Sequence, residues 1–255
     1  MKDISLITVT YNADRTILDC LRSVSYQTLQ PEHIIIDGCS TDHTLKLVQE
    51  YSGHPLRIFS EPDNGIYDAM NKGIVNANSD IIGILNADDY YVAPDILEKV
   101  ARIFQKRTVD ACYGDLCYID NYNPDRTIRY WRADTFSYRK FYWGWMPPHP
   151  TFFVRQTAYE RFGLFNLMMG SAADYELMLR FLVRHRLNAA YIPEVLVKMR
   201  TGGVSNFSLA NRLRAHRMDR LAWSVNGLYP YPWTLTLKPL LKIGQWIFKD
   251  PRNTI

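Results

Sequence analysis

Ile81-Ile82-Gly83-Ile84-Leu85-Asn86-Ala87-Asp88-Asp89 is the stretch that decides how this chain reads. A short apolar run has the length and composition of a buried strand, and an acidic pair follows it directly. In an open α/β sheet the crevice beyond the carboxyl ends of the strands is where ligands lie. Two adjacent carboxylates there suit a hard divalent cation, Mg²⁺ or Mn²⁺, which takes oxygen ligands and shares them with a diphosphate. The same residues also read as a helix start, with Asp89 capping a helix that runs on through Tyr90-Tyr91-Val92-Ala93-Pro94. Both readings stand on this segment alone.

Working outward, the first half alternates β-branched runs with amphipathic stretches. Strands are expected at Ile4–Thr10, His33–Asp37, Leu56–Ser60, Ile81–Leu85 and Ala111–Tyr118, and helices at Arg15–Tyr26, Asp42–Tyr51, Ile66–Asn76 and Pro94–Lys106. Strand and helix alternating at this spacing imply an α/β fold with a mostly parallel central sheet and helices on both faces. Residues 119–151 are polar, aromatic-rich and irregular, and look like a segment that shapes a cleft. Helical periodicity returns at Gln156–Phe162, at Asp174–His185 and after Ser208.

Hydrophobic residues make up 47% of the 255 and charged ones 22%, the balance of a folded globular chain. No run of about 20 apolar residues is present to span a bilayer, and the first residues lack a signal peptide's apolar core. A cytoplasmic protein is therefore expected, with Cys20, Cys39, Cys112 and Cys117 as reduced thiols, since their spacing fits no zinc pattern. The net charge of +4 is uneven: residues 207–255 hold eight basic side chains against Asp219 and Asp250, leaving the body at −2 and the tail at +6. Such a tail points to an anionic surface; no nucleic-acid-binding motif accompanies it.

Each expected strand end carries polar residues. Thr10 and Asn12 follow the first strand, where they serve a nucleotide or simply start a helix. Asp37 ends the second, placed to accept the imide hydrogen of a uracil-type base or a ribose hydroxyl, with Gly38 permitting close approach. Asp42 reads as a helix cap and Asp63-Asn64-Gly65 as a turn. Asp68 and Lys72 stand four apart on one helix face, as a surface pair or with Lys72 on a phosphate.

The strings Ser5-Leu-Ile-Thr-Val-Thr-Tyr-Asn12, Asp37-Gly-Cys-Ser-Thr-Asp42, Gly65-Ile-Tyr-Asp-Ala-Met-Asn-Lys-Gly73 and Leu85-Asn-Ala-Asp-Asp89, in this order, resemble the family-2 glycosyltransferases of the GT-A fold, above all the bacterial branch that builds surface polysaccharides. The resemblance covers residues 1 to 205. It implies an inverting, metal-dependent transfer of a sugar from a nucleoside-diphosphate donor, a UDP-hexose or UDP-N-acetylhexosamine, to a hydroxyl of a glycan acceptor. The family's Asp-x-Asp falls on Asn86-Ala87-Asp88, so Asp88 is the implied ligand of Mn²⁺ or Mg²⁺, and Asp89 neighbours the sugar or a metal-bound water. The family's later acid, often within Glu-Asp, falls on Ala173-Asp174, which makes Asp174 the implied general base, with Glu176 as substitute and helix capping as the structural role. His149, after Pro147-Pro148, matches the acceptor wall, and Gly202-Gly203 the loop over the diphosphate. A catalytic domain of residues 1–206 is expected, its donor half 1–118 and its acceptor half 119–206, followed by a basic amphipathic tail, 207–255.

On a helical wheel over Lys238–Lys249, Lys238, Lys242, Gln245 and Lys249 form a narrow polar stripe opposite Leu240, Leu241, Ile243, Ile247 and Phe248. Such a helix suits a membrane interface, with Trp233 and Trp246 beside it, or docking onto the domain or a partner. The first reading places the protein peripherally on the inner face of the cell membrane, in contact through 229–250 and acting on a lipid-linked glycan. A sugar nucleotidyltransferase is disfavoured, because its glycine-rich triphosphate loop is missing. A catalytically silent nucleotide-sugar binder in a glycan assembly complex is the alternative, founded on Asn86 and Ala173.

Overall fold

A computed structural model describes residues 3–201 and 209–247, with side chains left aside at 209–214, 242–244 and 246–247. The first strand, β1 (Ile4–Thr10), is buried along its whole length because both its neighbours are parallel strands covered by helices. Helix α1 (Ile17–Ser25) leads to β2 (Glu32–Asp37), α2 (Thr44–Glu50) to β3 (Leu56–Ser60), and α3 (Ile66–Asn76) to β4 (Ile81–Ile84). These four strands are parallel in the order β3-β2-β1-β4, and Thr10, Asp37 and Ser60 are in register at one edge.

After β4 the chain turns into β5 (Asp89–Tyr91), a three-residue strand, so Asp89 starts no helix; α4 (Ile96–Phe104) begins seven residues later. Beyond it come β6 (Ala111–Ile119), β7 (Thr127–Trp131), β8 (Phe153–Arg155), α5 (Gln156–Phe162), α6 (Ala173–Met178) and β9 (Ala189–Arg200). The sheet continues from β4 through β8, β6 and β9 to β5, with β7 paired to β6. Strand β8 runs antiparallel to both β4 and β6, so the sheet is mixed at its centre and parallel across its first four strands. Strand β9 contains Pro193 where its register against β6 shifts, between Gly114 and Asp115, which is where a sheet tolerates a proline. A Cβ on Gly114 would lie 2.5 Å from the Leu196 side chain, so glycine is what lets the two strands close there.

Of the surfaces expected for the tail, a membrane interface, the domain or a partner, its described residues pack against the domain. Helix α7 (Leu209–Val225) buries Trp223 completely, and its indole Nε1 donates to the Tyr175 hydroxyl at 2.9 Å. Helix α8 (Thr234–Ile247) starts four residues before the expected stripe and buries Leu235. Its Lys238 faces inward: Nζ meets both Asp219 oxygens at 2.8 Å and sits 3.4 Å from the centre of the Tyr175 ring. The polar stripe therefore contacts protein at Lys238, while Leu240 and Leu241 of the expected apolar face are half exposed. An aromatic cradle and a carboxylate satisfy a lysine's stem and charge together, which overrides the wheel. Gly144, at φ +82°, admits the α8 backbone, since a Cβ there would approach the Lys238 nitrogen to 2.6 Å. Lys249 lies outside the described residues.

Candidate active site

At the edge of β1 and β2 the polar groups are tied to one another. Asp37 is fully buried, and its carboxylate accepts from the Ser40 amide, the Ser40 hydroxyl and the Ser60 hydroxyl at 2.7 Å. These donors tie the Asp37 carboxylate to the turn after β2, the strand end where a base or ribose contact is expected. Asn12, in the left-handed region at φ +50°, accepts from the Thr41 amide at 2.8 Å and the Asp42 amide at 3.4 Å. Asparagine tolerates that conformation and pins the same turn. Asp42 accepts from the Thr44 amide in the first turn of α2, as a cap does. Lys72 pairs with Glu61 at 2.9 Å and donates to the Pro62 carbonyl at 2.6 Å, so its charge is already met; Asp68 accepts from the Asn64 amide. What this edge leaves open is Tyr11, 63% exposed, beside Gly38. A Cβ on Gly38 would strike the Asp63 carboxylate at 2.4 Å and lie in van der Waals contact with the Tyr11 ring at 3.5 Å. Tyr11, Gly38 and Asp63 thus frame a crevice with an exposed aromatic wall; in the sequence Asp63 reads only as part of a turn and Tyr11 carries no signal of its own.

The turn between β4 and β5 is different. Asp88 is partly exposed, whereas Asp89 is completely buried and bonds weakly to Asn86 Nδ2 at 3.4 Å. Asp89 therefore lies beneath the cleft surface, out of reach of a sugar. Burial raises the pKa of both acids, and for Asp89 the neighbouring Asp88 charge adds to it. Arg200, at the end of β9, donates to the Asp88 carbonyl at 3.3 Å and to Asp19 at 2.6 Å, which fixes the turn. Asn86 Oδ1, Asp89 Oδ1 and Thr10 Oγ1 are buried oxygens without a hydrogen-bond partner. Orphaned oxygens beside a crowded acidic pair fit a hard cation, with Asp88 offering the accessible carboxylate. Among the described residues no group of three or more His, Cys, Asp or Glu forms a closed cage.

Across the cleft, Asp174 stands in the first turn of α6, its Oδ1 accepting from the Tyr175 amide at 2.7 Å. Its Oδ2 lies 3.2 Å from His149 Nδ1. His149 opens a short 3₁₀ turn after two prolines, and Thr151 anchors that turn by donating to the Gly114 and Pro148 carbonyls at 2.9 Å. Tyr67 of α3 also meets Asp174, and burial, together with the Asp174 charge, pushes the tyrosine pKa upward. Asn86, Tyr67, His149 and Asp174 line one cavity whose deeper walls include Met70, Phe165 and Leu177. The structure so brings the end of β4 and the start of α6 to a single space. Glu176 faces elsewhere: it is buried and accepts from Arg180 Nε at 3.0 Å and from Asn226 at 3.1 Å. Ala173 is fully buried, so an acid at that position would enter the core. Gly202 and Gly203 lie outside the described residues.

The family model for glycosyl transferase family 2 matches residues 5–165. An uncharacterized glycosyltransferase of Mycobacterium tuberculosis is 32% identical over 184 residues, 69% of this chain and 68% of the relative. A PGL/p-HBAD biosynthesis glycosyltransferase of the same species is 29% identical over 208 residues, 79% of this chain and 78% of that protein. Among solved structures, S. aureus TarS 1–349 in complex with UDP-GlcNAc superposes with a TM-score of 0.70 at 18% identity, covering 88% of this chain and 66% of that one. The mannosyltransferase PcManGT of Pyrobaculum calidifontis, in complex with GDP-Man and Mn²⁺, gives 0.65 at 18% identity over 99% of this chain and 79% of its own. The architecture is the GT-A fold.

Proposed function

Because this chain belongs to glycosyl transferase family 2, we propose that it moves a sugar from a nucleoside-diphosphate donor to an acceptor hydroxyl with inversion, using Asp174 as the base. The observation that carries this is the Asp174 carboxylate, held between His149 and Tyr67 and lining the same cavity as Asn86 at the end of β4. An acid so placed can take the proton of an acceptor hydroxyl as that oxygen attacks the anomeric carbon, a contribution of about 10²–10⁴-fold. His149 turns one carboxylate oxygen, and the Tyr175 amide holds the other, so the group is oriented before substrate arrives. Asp88, with the unpartnered oxygens of Asn86 and Asp89 behind it, would hold Mn²⁺ or Mg²⁺. When bound, the ion would neutralise charge on the departing diphosphate. The exposed ring of Tyr11, beside Gly38 and Asp63, offers a stacking wall for the base.

The donor is a UDP-hexose or UDP-N-acetylhexosamine in this reading, supported by the UDP-GlcNAc complex of TarS; PcManGT, with GDP-Man, sets the competing choice. The acceptor is a glycan on a lipid, in line with the PGL/p-HBAD biosynthesis relative. Peripheral membrane contact through 229–250 accords with the exposed Tyr229, Tyr231, Trp233, Leu240 and Leu241, next to Trp143, in a basic tail. No helix among the described residues is long and apolar enough to cross a membrane. Leu240→Glu with Leu241→Glu is expected to abolish co-sedimentation with anionic vesicles; unchanged binding would remove the membrane contact from this reading.

The test of the whole is release of nucleoside diphosphate from a panel of UDP- and GDP-sugars with Mn²⁺ or Mg²⁺ and membrane extract as acceptor. Release by the wild type, lost in Asp174→Asn and in Asp88→Ala, supports the transferase. Donor binding without release across the panel favours the silent binder. The buried setting of Ala173 weakens that alternative, because its alanine serves packing.

A further inference from the structure

Arg129 occupies the middle of β7, directly opposite Tyr118 of β6. Its guanidinium carbon lies 4.0 Å from the centre of the Tyr118 ring and 5.6 Å from that of Trp131. Four other arginines of the domain meet carboxylates, Arg57 with Glu32, Arg102 with Glu98, Arg180 with Glu176 and Arg200 with Asp19, and Arg155 meets backbone carbonyls instead. Arg129 pairs with no acid among the described residues, and its Nε is buried without an acceptor. Burial lowers its pKa, and the nearby Tyr118 only partly opposes that. Taking a guanidinium partly out of water without a counter-charge is unfavourable, and contact with aromatic faces offsets only a fraction of it.

The strand registers say where this unmatched charge stands. Asp89 is opposite Met199, Met199 is opposite Tyr118, and Tyr118 is opposite Arg129. Residues paired directly across strands share a face, so these four side chains make one row over β5, β9, β6 and β7. With strands about 4.8 Å apart, the Arg129 backbone is about 14 Å from that of Asp89, and the side chain folds back over Tyr118 toward it. The Tyr118 phenol is in turn influenced by the charges of both Asp89 and Asp174. The row therefore runs from the acidic turn to a cation, with the base alongside.

We propose that Arg129 binds a phosphate of the substrate pair, either of the leaving nucleoside diphosphate or of a phosphate-linked lipid acceptor. The proposal rests on the transferase reading, since that reading supplies both phosphates. A planar fork with a free buried Nε–H matches a phosphate edge in two parallel hydrogen bonds, and the Tyr118 ring holds the fork flat while it waits.

Calorimetric titration of the full chain with UDP and with GDP, each with Mn²⁺, tests the donor arm. Binding to detergent micelles carrying polyprenyl phosphate, against polyprenol as the uncharged control, tests the acceptor arm. Arg129→Gln, and Arg129→Met in case the first does not fold, remove the charge; Met retains an unbranched stem over Tyr118. A ten- to hundredfold loss of nucleotide affinity with lipid binding unchanged assigns the phosphate to the donor. The same loss confined to polyprenyl phosphate assigns it to the acceptor. If the wild type binds a nucleoside diphosphate or the lipid phosphate and a folded variant binds equally well, the Arg129 proposal falls while the transferase reading stands. If the wild type binds none of these probes, the transferase reading fails and the Arg129 proposal with it.

Discussion

The two walls of the cleft treat their polar groups in opposite ways. On the β1–β2 side, Asp37, Asn12 and Lys72 are each engaged by the protein, through Ser40 and Ser60, through Thr41, and through Glu61. On the opposite side, and at the turn between them, Asn86 Oδ1, Asp89 Oδ1 and Arg129 Nε are buried without partners, and Asp174 rests on His149, Tyr67 and the Tyr175 amide. Groups saturated by the fold hold shape; groups left short of partners are ready for a ligand. Substitutions on the first wall should therefore appear mainly as lost stability, and those on the second mainly as lost activity.

The largest expected effect is at Asp174. Asp174→Asn should lower turnover by about 10²–10⁴-fold while leaving the melting temperature and donor affinity near wild type. A variant that melts early and still turns over would break the contrast at its strongest point. Asp37→Ala comes next, because the Ser40 amide and the Ser40 and Ser60 hydroxyls would lose the buried carboxylate that they share. A loss of about 2–3 kcal/mol is expected by urea unfolding. Unchanged stability with lost nucleotide binding would return Asp37 to the role of base contact.

A smaller effect concerns acid. His33 is buried between Thr8, at 2.9 Å from Nε2, and His54, at 2.7 Å from Nδ1, and burial holds its pKa down at about 3. A histidine depressed on folding favours the native state above its unfolded value near 6.5, and that stability is lost as pH falls from there toward 3. Between pH 6 and pH 4 the protein should lose about 2 kcal/mol from this group, at no more than about 1.4 kcal/mol per pH unit. Urea melts across that range should flatten in His33→Gln; an equal slope in the variant would assign the acid sensitivity elsewhere. The smallest effect is at Lys72, on an exposed pair with Glu61. Lys72→Ala should change donor affinity by less than about threefold. A tenfold loss would show that Lys72 leaves Glu61 for a phosphate when donor binds, sharpening the contrast into one between resting and loaded states.

Periodicity made part of this legible in advance. Ile4–Thr10, Leu56–Ser60, Ile66–Asn76 and Gln156–Phe162 form the elements that alternation and helical spacing predict. Strand β9 escaped because Pro193 and the polar Glu194 interrupt its pattern where it bulges against Gly114. Strands β5 and β8 have three residues each, too few to show a period. The antiparallel insertion of β8 between β4 and β6 is a long-range pairing, which local composition does not encode. At the site, strand-end placement pointed to the Asp88-Asp89 pair and the resemblance to Asp174. Whether a carboxylate is free or consumed depends on partners distant in sequence, as Asp37 with Ser60 and Asp174 with His149 illustrate. Arg129 gave no local signal at all, since its distinguishing feature is a missing partner.

Tyr175, the residue directly after the proposed base Asp174, has its hydroxyl bonded to Trp223 of α7 and its ring capped by Lys238 of α8. The two tail helices are thus not an exchangeable cassette. A chimera that grafts another relative's tail onto residues 1–206 would inherit a base whose neighbour has lost both supports, unless the positions facing Tyr175 are transplanted with it. Drift in the tail and drift in α6 are coupled through one aromatic ring, and a library that randomises either segment alone will recover few active members.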